Sequence, residues 1–204
     1  MKKCIRFFII SLVLLNLSTC GIMSNFQTAE VPKKGTHQLT PAASLHYYNS
    51  KDVALIPSEG FIPSLKARYQ YSLLDFLAVG LIYDFPTIFS GNVKTQYIDT
   101  DSVDMALDLS FGIIKGTDSK KALMGSITPL FTFYTKKKLS ITLAPKATLI
   151  SNDSDEYLFG GTITLGYKIS EKITLLPEVG SFVDYKNSNN FTTFHAGLGV
   201  GIDF

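Results

Sequence analysis

From residue 36 to the end of the chain, apolar and polar side chains alternate with a period of two, and no long stretch has helical spacing. This pattern constrains the fold more than any other feature. Successive side chains of a strand point to opposite faces, so each run presents one apolar and one polar face. In 61–72, Phe61, Pro63, Leu65, Ala67, Tyr69 and Tyr71 share a face opposite Lys66 and Arg68. In 103–114, Met105, Leu107, Leu109, Phe111 and Ile113 oppose Asp104 and Asp108. In 138–150, Leu139, Ile141, Leu143 and Leu149 oppose Lys146, and in 157–169, Tyr157, Phe159, Ile163, Leu165 and Tyr167 oppose Lys168. The last run sets Phe194, Ala196, Leu198, Val200, Ile202 and Phe204 against His195, Gly197, Gly199, Gly201 and Asp203.

Similar runs lie at 36–48, 76–86, 122–135 and 172–185, and a weaker one at 92–99 places Val93, Thr95 and Tyr97 outward. With that tenth strand included, short connections (73–75, 100–102, 136–137 and 170–171) alternate with longer polar ones (49–60, 87–91, 115–121, 151–156 and 186–191). All short turns then fall at one end of the structure and all long loops at the other, as in barrels with short periplasmic turns and long outer loops. Pro41, Pro63, Pro129, Pro145 and Pro177 run against this reading, since each removes a ladder donor inside a strand pattern and implies a bulge or a strand end.

Alternation alone also fits a soluble barrel or sandwich with an apolar interior. Three features place the apolar face outside. In the nine clear strands that face carries no formal charge, whereas the opposite face holds Lys66, Arg68, Asp84, Asp104, Asp108, Lys146, Lys168, Glu178, Asp184 and Asp203. A charge turned to the bilayer midplane costs about 2–4 kcal/mol, so lipid explains its absence. The outward aromatics form two belts: Tyr69, Tyr71, Phe131, Phe133, Tyr167 and Phe204 towards the short turns, and Tyr47, Phe61, Tyr83, Phe85, Phe111, Tyr157, Tyr185 and Phe194 towards the loops. Aliphatic residues lie between them, as expected when rings seek both interfaces of a bilayer. Finally, the chain stops at Phe204 on an alternating strand.

In these distributed features residues 36–204 resemble the outer-membrane β-barrel superfamily. The resemblance implies an all-β fold, a closed antiparallel up-and-down transmembrane barrel of ten strands (eight is the alternative), in the bacterial outer membrane. The terminal Phe204 resembles the signal by which the barrel assembly machinery recognises its clients. Expected partners are that machinery, outer-membrane lipids and lipopolysaccharide, with the protein a monomer.

The amino terminus reads as an address. Lys2, Lys3 and Arg6 precede an apolar run from Phe7 to Leu15, too short to span about 30 Å of hydrocarbon as a helix. Leu17-Ser18-Thr19-Cys20 resembles a bacterial lipoprotein signal, in which the cysteine becomes the lipidated first residue. Thr19 departs from the usual Gly, Ala or Ser before it. Residues 1–19 are thus expected to be a signal peptide, 20–35 a tether without period, and 36–204 the barrel. Gln27-Thr28-Ala29 followed by Gly35 is similar to the start of certain outer-membrane lipoproteins, where such a segment leads into the first strand. The chain has two cysteines, too few for a disulfide framework. Its 19 basic and 17 acidic residues balance too closely for a nucleic-acid binder.

About eight strands already fill a barrel with side chains, so ten enclose a narrow interior. The inward charges are expected to form an ion-pair plug, with Lys66 or Arg68 facing Asp104 or Asp108. Gly197, Gly199 and Gly201 clear space on the last strand for a bulky neighbour such as Phe182, or open a passage. His46 and His195 face inward near the loop end, and His195 with Asp184 forms a candidate base and orienter, with Ser44 as an undistinguished nucleophile. His37 lies in the opposite phase and reads as interfacial. No metal-ligand spacing, phosphate loop or dinucleotide fingerprint is present, so no cofactor or metal is expected. The acidic 151–156 loop and Lys115, Lys120 and Lys121 read as solvated, with contacts to surface lipids the alternative. The expected role is structural or surface-exposed, without catalysis and with a largely plugged polar lumen. The alternatives are a narrow channel, a barrel enzyme acting on lipid or peptide, and a soluble lipid-binding barrel.

Overall fold

The computed structural model describes residues 24–50, 59–85, 87–115, 121–136, 138–151, 155–184 and 191–204. The expected signal peptide and Cys20 lie outside these residues. The strands are β1 (His37–Ser50), β2 (Glu59–Leu74), β3 (Leu77–Phe85), β4 (Ile88–Asp99), β5 (Val103–Lys115), β6 (Lys121–Lys136), β7 (Leu139–Ser151), β8 (Glu156–Lys168), β9 (Ile173–Asp184) and β10 (Phe191–Asp203). Each pairs antiparallel with its sequence neighbours, and β1 also pairs with β10, so the sheet is a closed ten-stranded barrel. The seam is fastened at the turn end, where His37 and Phe204 exchange both backbone hydrogen bonds at 3.0 and 2.9 Å. Their rings stack at 5.7 Å, and His37 Nδ1 lies 2.7 Å from the Tyr69 hydroxyl, an interfacial setting as expected.

The polarity is inverted relative to a soluble protein. Leu65, Leu81, Ile127, Leu143, Ile163 and Leu198 face outward at 40–50 % exposure, while Lys66, Arg68 and Asp108 are buried within. A soluble barrel has no reason to expose such a band, and a bilayer requires it. Phe61, Tyr83, Phe89, Phe111 and Phe194 crown the band at the loop end, and Tyr69, Tyr97, Phe133, Tyr167 and Phe204 at the turn end. Closure leaves no strand edge open to hydrocarbon.

Two expectations about the strands are corrected. The connection after β3 is not a loop over 87–91: β4 begins at Ile88, and only residues 86–87 separate the two strands. Gly91 in the outward phase had interrupted the apolar alternation there, yet Ser90 and Asn92 keep facing inward. The prolines need neither bulges nor strand ends in most cases, because they fall where a ladder pauses. The β6–β7 register breaks between Ile127↔Ala147 and Phe131↔Leu143, a gap that takes in both Pro129 and Pro145. The β1–β10 register skips Pro41, and the β8–β9 register skips Pro177. Pro63 lies above the last β2–β3 pair, Leu65↔Phe85. A residue without an N–H is tolerated where no partner carbonyl waits for it. The register shifts lie instead at the turn end, at Ser72/Leu74, Gln96/Ile98 and Tyr134/Lys136.

Candidate functional site: a lumen occupied by its own amino-terminal segment

Residues 24–32 of the expected tether lie within the barrel, and Lys33 and Lys34 are exposed at its turn end. The segment enters there, where Lys34 N donates to Asp75 Oδ1 at 2.8 Å, and rises as the numbering falls. Val31 N donates to Gln96 Oε1 at 2.6 Å and Ala29 N to Thr132 Oγ1 at 2.7 Å. Lys94 Nζ donates to the carbonyls of Glu30 and Thr28 at 2.8 and 3.3 Å. Higher up, the Gln27 amide donates to Asp108 Oδ2 at 2.8 Å and accepts from Arg68. The segment reaches mid-height at Ser24, whose carbonyl accepts from Lys66 Nζ at 2.6 Å. A chain without regular secondary structure is acceptable inside a membrane barrel only when its backbone groups find partners there, as the N–H groups of Val31 and Ala29 and the carbonyls of Glu30, Thr28 and Ser24 do. Ten strands leave the width that eight would fill.

The inner end is held by one carboxylate. Glu178 Oε1 accepts from Asn25 N at 2.7 Å and Oε2 from Phe26 N at 2.7 Å. Thr164 Oγ1 also donates to Oε2 at 2.7 Å, and His195 Nε2 lies 3.1 Å from Oε1. Phe26 has φ +45°, an outlier for a bulky residue costing about 1–3 kcal/mol. The kink turns two successive N–H groups onto the same anion, a nest-like arrangement. The Phe26 ring, 1 % exposed, lies in a slot made by the glycines of β10. A Cβ at Gly197 would lie 2.6 Å from Phe26 Cζ, and one at Gly199 3.1 Å from Phe26 Cβ. The glycine track therefore does admit a bulky ring, but from Phe26 of the segment and not Phe182. Below it, Ala29 packs with Ala106, Ala144 and Leu130, small residues that leave room for the chain.

The lumen charges are largely those expected from the alternation, with different partners. Arg68 Nη1 lies 3.3 Å from Asp108 Oδ2, one of the expected pairs. Lys66 lies 3.4 Å from Asp84, its register partner across β2 and β3, and not against Asp104 or Asp108. Asn92 Nδ2 also donates to Asp108 at 2.7 Å, and Ser64 Oγ to Asp84 at 2.6 Å. Asp104 takes the Tyr134 hydroxyl instead. Asp203 accepts from Gln38 at 2.8 Å, and the half-exposed Lys168 lies 3.1 Å from Glu30 of the segment. Lys146 is buried and borders, with Ser24, Lys66, Asp84 and Asp108, a void of about 20 Å³, room for about one water. Lys94 belongs to this set and was missed, because the expected β4 was too weak to enter the charge survey. Its phase with Asn92 and Gln96 was the available signal.

Above the charges the lumen turns apolar. Ile88, Ile114, Ala122, Met124, Ile150, Leu158 and Phe182 form one buried cluster, with Ile62 against it. Beneath Phe182, His46 and His195 stack at 5.2 Å. His46 Nε2 lies 2.8 Å from Ser44 Oγ. The candidate pair of His195 with Asp184 is not what forms. His195 turns to Glu178, while its β9 register partner is Gly180, four residues below Asp184. Strand tilt and register, which fix the height of each side chain, are invisible in the order of residues. At the turn end a cleft of about 790 Å³ opens between Glu30, Asp99, Asp101, Asp104, Tyr134 and Lys168. Among the described residues no group of side chains has the arrangement of a metal site.

No protein-family model matches the sequence, and no curated protein matches it. Solved structures do resemble it in fold. An outer-membrane channel from Pseudomonas putida F1 is 10% identical, covering 92% of this chain and 100% of its own, with a TM-score of 0.57. The translocator domain of the autotransporter NalP from Neisseria meningitidis is 10% identical over 85% of this chain and 90% of that one, with a TM-score of 0.50. At such identities the likeness concerns the fold alone. Together with closure, the outward apolar band and the two aromatic belts, it gives the chain the fold of a small transmembrane β-barrel, the fold that these outer-membrane proteins share.

Proposed function

We propose that this protein is a self-plugged barrel, closed to solutes at rest and without catalytic activity, whose role is structural or exercised at the membrane surface. The observation that carries the reading is the Glu178 carboxylate, which accepts both Asn25 N and Phe26 N and fastens the inner end of the segment inside the barrel. The void beside Ser24 has room for about one water, and a buried apolar cluster lies above it, which supports a lumen closed to solutes. The burial of Ser44, His46 and His195 at 7 % exposure or less supports the reading without catalysis. Lipids and lipopolysaccharide contact the apolar exterior. The assembly machinery engages the terminal strand β10 and Phe204 just after it, which is 61 % exposed at the turn end, and the closed sheet functions as a monomer.

Planar-bilayer recording tests the closed state. The full-length protein is expected to give no current steps, and a variant lacking residues 24–34 to give steady ones. Current steps of equal size from both proteins would refute the plug.

A further inference from the structure

From the turn end up to Glu178, the barrel wall holds the segment as a binding groove holds an extended peptide. The N–H groups of Ala29 and Val31 donate to Thr132 and Gln96 on one side. The carbonyls of Thr28 and Glu30, which alternate with them, accept from Lys94 on the other. This is the period of two of an extended strand, met by side chains instead of a neighbouring strand. Nearly every residue type carries such main-chain groups, so they give affinity to any extended chain, and side-chain pockets make the choice. Phe26 fills the slot at Gly197 and Gly199, Gln27 lies between Arg68 and Asp108, and Ala29 packs on Ala106, Ala144 and Leu130.

The resident segment does not fit this groove without cost. Phe26 holds φ +45° so that its N–H and that of Asn25 both reach Glu178, a conformation that a ring-bearing residue adopts under strain. Nor does the segment fill the space at the turn end. A void of about 70 Å³ runs beside it from Gln27 to Pro32, against Ser140, Thr174 and Asp203. The cleft of about 790 Å³ opens next to Glu30. An incoming chain thus meets open space at the mouth and a strained occupant at the inner end.

We infer that this part of the lumen is a recognition site for extended peptides that carry an aromatic residue, a carboxamide next to it and a small residue three positions on, and that residues 24–32 are its tethered occupant. This deepens the self-plugged reading, on which it rests: the plug is an exchangeable ligand and not a fixed part of the wall. The tether holds the resident at an effective concentration of about millimolar, so a free peptide competes poorly with an intact latch and well with a weakened one.

The test uses the full-length protein in detergent micelles and a synthetic peptide of residues 24–34. A fluorophore sits at the carboxyl end of the peptide, where Lys34 is exposed, and binding is followed by anisotropy. Phe26→Pro in the protein removes the ring, one latch N–H and the positive φ together. Phe26→Ala is the milder second variant, and heat-modifiable gel mobility shows that a variant is assembled. The peptide is expected to bind the latch variant saturably, at least about tenfold more tightly than the wild type. The same peptide with alanine in place of its phenylalanine is expected to bind at least about tenfold more weakly, since the slot then stays empty. Absence of saturable binding to an assembled latch variant overturns the inference, and so does equal binding of a scrambled peptide of the same composition. Planar-bilayer recording of the same variant separates this result from the plug. A latch variant that conducts and that the peptide closes supports both readings. One that conducts and ignores the peptide leaves the plug and sinks peptide recognition. Wild-type current steps equal to those of the variant sink the plug.

Discussion

Replacing Glu178 by alanine isolates the latch. Its carboxylate is 2 % exposed and accepts the two N–H groups of Asn25 and Phe26 as well as the Thr164 hydroxyl, all at 2.7 Å. Removing it leaves two backbone donors buried without an acceptor, and each such orphan costs about 1–3 kcal/mol. Water entering the space left by the side chain recovers part of this, so the lower end of the sum, about 2–3 kcal/mol, is the expected loss. At about 1.4 kcal/mol per decade, the population with the segment displaced rises roughly 30-fold to 140-fold. In planar bilayers this appears as brief openings at that multiple of the wild-type frequency. Glu171→Gln, an exposed change at a turn, is the control. If Glu178→Ala assembles with normal heat-modifiable mobility and opens no more often than Glu171→Gln, the latch reasoning fails.

Three further outcomes follow from the same geometry. Gly197→Val drives a side chain into the Phe26 ring, so the barrel should assemble poorly, and Phe26→Ala in the same chain should restore it, as read by heat-modifiable mobility. Arg68→Met strands Asp108 in the lumen and should lower unfolding stability in lipid vesicles by about 3–5 kcal/mol, with Asp108→Leu added to recover most of it. Leu143→Arg, at 40 % exposure in the lipid-facing band, should cost about 2–4 kcal/mol of unfolding stability in the same vesicles, whereas Leu143→Ala costs less than the charge does.

The legible part of this protein was the part with a period. Outward Leu65, Leu143 and Leu198 and inward Lys66, Arg68 and Asp108 follow from alternation, and the absence of charge on one face identified lipid as its solvent. The tenth strand was legible only in part, because Gly91 and Thr95 blurred its apolar face and hid Lys94 with it. The pairing of Lys66 with Asp84 was open to the sequence once β2 and β3 were neighbours, but it needed the register, which the turn bulge at Ser72/Leu74 sets. His195 and Asp184 share a hairpin, and register again separates them.

The sequence by itself determined a closed cylinder with oil outside and charge within. Its two-residue period leaves an apolar row that only lipid satisfies and a polar row that only an interior or water does. What the tertiary structure alone decided is the use of residues 24–34. They carry no period, and their partners lie far along the chain, Glu178 being 153 residues from Asn25 and Asp108 being 81 from Gln27. An extended segment satisfied by main-chain hydrogen bonds leaves little trace in composition, because its backbone donors and acceptors are common to almost every residue. Only closure of the ten strands at that diameter creates the space and the carboxylate that hold it.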